Sequence, residues 1–109
     1  MAAPLFYPVN LHFSQSNKDT MTIQDTLKQR QNTHGDFATH AVISQALKKV
    51  MHDIPAWETV LSDDQREALD MIQHKVARIL NGNPNYDDHW QDICGYSQLV
   101  LNTLEGPKI

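Results

Sequence analysis

The feature that most constrains this chain is the tetrapeptide Asn81-Gly82-Asn83-Pro84, which separates two long stretches of helical apolar periodicity. Upstream of it, Ala68, Leu69, Ile72, Val76, Ile79 and Leu80 recur on one face at ~100° per residue. Downstream, Tyr86, Trp90, Ile93, Cys94, Val100, Leu101 and Leu104 do the same. Glycine after the last periodic residue is a helix stop, expected here as a left-handed cap, and Pro84 suits the first position of the next helix. So short a break admits only a turn. The spacing therefore predicts helices over about 62–80 and 85–104, folded back on each other as a tight antiparallel hairpin.

The preceding residues also read as helices. Thr22 with Asp25, and Ser62 with Gln65, have capping-box spacing, and Asp36 is placed to cap a helix from Phe37 to about Met51. Thr22 opens a short helix that ends near Gln31, before the turn Asn32-Thr33-His34-Gly35-Asp36. Phe37, Ala41, Ala46, Leu47 and Val50 form the expected apolar stripe of the second helix. Pro55 ends that helix, and Ile54 to Leu61, with Trp57, reads as a connector. No strand pattern, repeat or low-complexity tract appears. The expected fold is all-α: a small bundle of about four helices spanning 22–109, preceded by an extended or disordered arm over 1–21.

Composition narrows the partners. At 109 residues with 40% hydrophobic content, one small domain is the limit, and a dimer that shares core would bury more surface than a monomer. The formal charge of −4 argues against non-specific nucleic-acid binding, which needs a dense cationic stripe. A single cysteine, Cys94, excludes an internal disulfide scaffold. No apolar run reaches the ~20 residues of a membrane span, and the first ten residues lack the basic and apolar regions of a signal peptide. The expectation is a cytoplasmic homo-oligomer.

The charge is uneven. Residues 1–50 carry five bases and three acids, while 51–109 carry four bases and ten acids. A hairpin turning near Asn83 pairs positions whose numbers sum to about 166. It sets Arg78 beside Asp88 and Lys75 beside Asp92. That cluster has three readings: cross-hairpin ion pairs on a partly solvated face, a Mg²⁺ site, or a cation-lined anion site without metal. In the second, Asp88 and Asp92, one turn apart, aim at one Mg²⁺ while Lys75 and Arg78 hold phosphate oxygens. Gly95, inside the helix on that side, admits a close approach of ligand or helix, with Tyr96 offering a hydroxyl beside it. His34 and Asp36 join the ligand-binding set if their turn folds over the site.

Other chemistries find little purchase. The histidines lack ligand spacing, and there is no CxxC, phosphate-binding glycine loop or GxSxG. The dipeptide His52-Asp53 has no correctly spaced upstream histidine. Cys94 falls on the apolar face of its helix and is expected to be buried and inert.

The ordered set Arg30…His34-Gly35-Asp36-Phe37, Lys75-Val76-Ala77-Arg78 and Asp88…Trp90-Gln91-Asp92-Ile93-Cys94-Gly95-Tyr96 resembles a family of small phage and prophage proteins of unknown function. That family is similar in outline to MazG-like all-α nucleoside triphosphate pyrophosphohydrolases. The resemblance implies a helical oligomer that binds a nucleotide or related phosphorylated ligand, with Asp88 and Asp92 as catalytic, Mg²⁺-holding groups. It would act in the cytoplasm, the host's if phage-encoded. The hallmark E-E-x-x-E helix is missing: the 37–51 segment carries no carboxylate, and His89 stands three residues before Asp92. The E-x-x-D spelling falls instead on Glu67 and Asp70. The alternative is a non-catalytic, acidic helical protein that modulates a host enzyme.

Overall fold

The computed structural model describes residues 22–106, and the arm expected over 1–21 lies outside them. Five helices follow in order: α1 (Ile23–His34), α2 (Phe37–His52), α3 (Pro55–Thr59), α4 (Asp63–Asn81) and α5 (Asp87–Glu105). The all-α expectation holds. One helix more is present than expected, because the connector around Trp57 coils into the single turn α3 with Pro55 at its start. Proline is well placed there, since the first N–H of a helix has no intrahelical acceptor.

The caps form as their residue types require. Thr22 and Asp25 make one capping box and Ser62 and Gln65 another, while Asp36 accepts from the Thr39 amide at 3.0 Å. The first helix runs a turn beyond Gln31 and ends at Gly35, whose φ of 80° is open to glycine at little cost. The left-handed cap expected at Gly82 is absent: its φ is −135°. Pro84 does not open α5 either. It sits in the turn, where its carbonyl accepts the Trp90 indole N–H at 2.8 Å, and Tyr86 occupies the N-cap.

Helix α4 is the centre of the assembly. It packs most extensively on α5, as the hairpin expectation required, and on its other side against α2. Helix α3 rests on α2, and α1 touches α2 and α4. Arg66 ties the α3–α4 corner, donating to the Trp57 and Leu61 carbonyls at 3.0 and 3.1 Å. Trp57 is buried, with the His52 ring 4.3 Å from its own.

The interior departs most from the apolar stripes read in the sequence. Among the described residues, the buried apolar side chains are Trp57, Ala68 and Ala77. The buried polar ones are His40, Ser44, Gln73, Lys75, Arg78 and His89. The expected stripe residues Phe37, Val50, Leu80, Leu101 and Leu104 are exposed, as is Cys94, which the pattern had placed inside. On α2 the covered positions are His40 and Ser44, a turn apart, rather than Phe37 and Val50. Ser44 and Gln73 satisfy each other across α2 and α4 at 3.1–3.2 Å, as buried polar groups must.

Candidate functional site

The chemistry-bearing side chains gather at the end of α4 nearest the α4–α5 turn. The turn between α1 and α2 folds onto that end. Asn81 Nδ2 donates to the His34 and Asp36 carbonyls at 3.1 and 2.9 Å, and the Asn83 amide donates to the Thr33 carbonyl at 2.9 Å. Both glycines of the contact serve close approach. A Cβ on Gly35 would overlap Asn81, and one on Gly82 would overlap the Thr33 carbonyl and the His34 backbone. Gly82 is thus required by a neighbouring segment rather than by its own dihedral angles.

This clamp brings His34 to His89. His34 Nδ1 lies 3.3 Å from His89 Nε2 and 3.2 Å from Thr33 Oγ1, and Tyr86 packs edge-on against both imidazoles. A second pair, His40 and His74, meets edge to face with centroids 4.6 Å apart. Burial, then the Arg78 charge, depresses all four histidines, with His34 and His74 falling to about 3. All four are therefore neutral at neutral pH, packed around a guanidinium that is itself buried.

One turn before Arg78 on α4, Lys75 Nζ donates to Asp92 Oδ2 at 2.8 Å, with Lys75 only 2% exposed. The hairpin register read in the sequence thus meets in the structure, but the pair is internal rather than on a solvated face. Burial pushes the Lys75 ammonium below its ordinary range, and the hydrogen bond to Asp92 opposes that shift. Asp88 is exposed and hydrogen-bonds Tyr86. Tyr96 and Gly95 are half-buried, just beyond Asp92 on α5.

A cavity of about 530 Å³ opens between α1, α2 and α4. Arg30, His34, His40, His74 and Arg78 line it, Asp36 stands at the turn, and Ile23, Leu27 and Phe37 supply an apolar wall. Three of the sequence-read ligand residues, His34, Asp36 and Arg78, are therefore in one place. Lys75, Asp88, Asp92 and Tyr96 are not among its lining residues. Arg30, His40 and His74 were not singled out as ligand residues. Their signal was available in the one-turn spacings Arg30/His34 and His74/Arg78, but nothing in the sequence alone turns those two helix faces toward each other.

Two other acids have local partners. Asp70, of the E-x-x-D spelling, holds His52 Nε2 at 2.7 Å, and Asp53 pairs with Lys49 at 2.8 Å, so the His52-Asp53 dipeptide is divided between two partners. Among the described residues no group of three or more His, Cys, Asp or Glu side chains converges as a metal site. No helix among the described residues is long and apolar enough to cross a membrane. Asp92 is engaged by Lys75, and Asp88 lies one turn before it on α5.

No curated protein and no solved structure matches the chain. The family model described as a domain of unknown function (DUF6378) matches residues 21–103, from the start of α1 nearly to the end of α5, and the chain belongs to that family.

Proposed function

We propose that this domain binds a nucleotide or related phosphorylated ligand in the cavity between α1, α2 and α4. One observation carries the reading: the cavity sets two arginines, Arg30 and Arg78, and neutral hydrogen-bonding imidazoles beside an apolar wall. Guanidinium groups give phosphate strong charge-assisted hydrogen bonds, and the volume lies within the ~300–1,000 Å³ of ordinary ligand pockets. The resemblance to small phage proteins and MazG-like pyrophosphohydrolases points to the same ligand class. A cytoplasmic setting, the host's if the chain is phage-encoded, fits such a ligand.

Mg²⁺ enters this reading only with a ligand. Phosphate oxygens would have to draw Lys75 off Asp92 before Asp88 and Asp92 could offer carboxylates to the ion. Tyr96 lies close along the same helix. Hydrolysis of a phosphoanhydride is the stronger form of the proposal, and pyrophosphate release that survives Asp92→Asn would remove Asp92 from it. The binding form is tested by the melting temperature of the full chain with nucleotides, with and without Mg²⁺. A rise is expected. No shift with any nucleotide under either condition ends the reading.

A second reading has its own observation. Val42, Val50, Val60, Leu80, Trp90, Leu101 and Leu104 are exposed, while few apolar residues are fully covered. A domain this small with so little covered apolar surface gains most from association. We take the partner to be a second copy of the chain, with a host enzyme as the alternative occupant. Sedimentation should show a dimer or larger species that Leu101→Glu with Leu104→Glu dissociates. A monomer at every concentration overturns the homo-oligomer.

A further inference from the structure

Helix α5 carries two stripes. His89, Ile93, Tyr96 and Val100 recur at helical spacing on the side toward α4, and all are buried or half-buried. Trp90, Cys94, Ser97, Leu101 and Leu104 recur at the same spacing ~100° further round, and all are exposed. From Ile93 to Leu104 no residue is charged, in a chain whose charged content is 20%. A helix side left to water ordinarily carries charge. An exposed, uncharged stripe built on tryptophan and leucine is the pattern of a face that meets a second helix. Trp90 is already held in place, since its indole N–H donates to the Pro84 carbonyl at 2.8 Å. A pre-ordered aromatic loses little freedom on contact and so suits an anchor.

The stripe is complementary to itself. With two copies of α5 antiparallel and crossing at Ser97, Trp90 meets Leu104 of the partner subunit, Cys94 meets Leu101 of the partner subunit, and Ser97 meets its own copy. Large side chains then lie toward both ends and the small one at the crossing, where the backbones come closest. Charge selects the direction. Asp87 and Asp88 stand in the first turn of α5. Antiparallel pairing separates the two acidic ends by about 30 Å along the axis, well past the ~8–10 Å screening length. Parallel pairing would set them side by side. The helix dipoles favour the antiparallel arrangement as well.

We infer that the Trp90–Leu104 stripe of α5 is the contact surface for a second copy of this chain, the two helices antiparallel about a two-fold axis at Ser97. The inference rests on the association reading above and supplies its surface and register.

The test is disulfide trapping of the full chain under mild oxidation, with sedimentation of the reduced protein. Antiparallel pairing holds the two copies of Cys94 about 9 Å apart along the axis alone, beyond the ~7 Å that a disulfide spans. The native protein should therefore not cross-link, whereas Ser97→Cys combined with Cys94→Ser should cross-link as a dimer. Leu101→Glu should raise the dimer dissociation constant about tenfold or more, because it puts a charge into an apolar contact. Leu99→Glu is the control. Leu99 is as exposed as Leu101, 53% against 44%, but lies on the opposite side of α5, so the dimer should persist. A dimer that cross-links through Cys94, that fails to cross-link through Ser97→Cys, or that the two leucine variants affect alike overturns the inference and leaves the association reading standing. A monomer at every concentration ends both and gives the stripe to a partner other than this chain.

Discussion

Lys75 and Asp92 face each other inside the α4–α5 hairpin, Nζ to Oδ2 at 2.8 Å, with the lysine almost wholly withdrawn from solvent. An internal ion pair of this kind costs desolvation on both sides and returns it only through good geometry. Breaking it from one side is the expensive change. Asp92→Ala should therefore lower unfolding free energy by about 3 kcal/mol, because Lys75 is left charged and unpaired. The double variant Lys75→Met with Asp92→Leu should recover most of that loss. Urea denaturation of the three proteins checks both statements, and equal destabilisation by single and double variants would refute the pairing.

Gly35, Gly82 and Gly106 separate two uses of glycine. Gly106 has a φ of 81° and a ψ of 179° with nothing near its missing Cβ, so Gly106→Ala should cost about 1–3 kcal/mol, from local backbone strain alone. Gly82 needs no unusual φ, yet Gly82→Ala drives a methyl into the Thr33 carbonyl. Gly35 has both problems, with φ at 80° and Asn81 in the way. The expected order of destabilisation is Gly35→Ala, then Gly82→Ala, then Gly106→Ala, read from thermal midpoints.

Asn81 is the clamp between the α4 terminus and the α1–α2 turn. Asn81→Ala removes two hydrogen bonds to the His34 and Asp36 carbonyls, at a cost of about 1–3 kcal/mol. It should also loosen the wall carrying His34 and Asp36, so ligand affinity should fall although Asn81 is not among the residues lining the cavity. Hydrogen exchange at the Gly35 and Asp36 amides should speed up in this variant and stay unchanged at Ser44. Unchanged exchange at the turn would show that the clamp lies elsewhere.

The histidine cluster predicts acid sensitivity of definite sign. Burial and Arg78 hold His34 and His74 near 3, far below the 6.5 of an unfolded chain, and His40 and His89 are lowered as well. Below about pH 6.5 the unfolded state takes up protons that the folded state refuses. Stability is therefore complete above 6.5 and declines as pH falls toward 3. Each such histidine contributes at most about 1.4 kcal/mol per pH unit. Urea midpoints should drop between neutral pH and about pH 5, and His74→Gln should flatten the slope. A flat profile in the parent protein would mean that the histidines are solvated.

The helices were legible because their signals are local. A capping box such as Ser62 with Gln65 acts within one turn, and Asn81-Gly82-Asn83-Pro84 breaks the helix by its own backbone chemistry. The turn also set the register that brings Lys75 to Asp92. The one-turn helix at Trp57 was missed because five residues hold no period.

The interior was not legible, for a physical reason. Apolar periodicity finds a face able to be buried, but burial depends on which neighbours arrive. Here α2 and α5 close over His40, Ser44, Gln73, Lys75 and His89; Ser44 with Gln73, Lys75 with Asp92 and His89 with His34 find partners across helices, while Phe37, Leu80 and Leu104 stay at the surface. The candidate site belongs to that second category. Arg30, His40 and Arg78 lie on separate helices, and the Asn81 clamp helps to make them one cavity. The sequence by itself determined the helices, their ends and the hairpin. Only the tertiary structure decided that the polar faces turn inward, because hydrogen-bonded and ionic partners for those groups exist only after the helices meet.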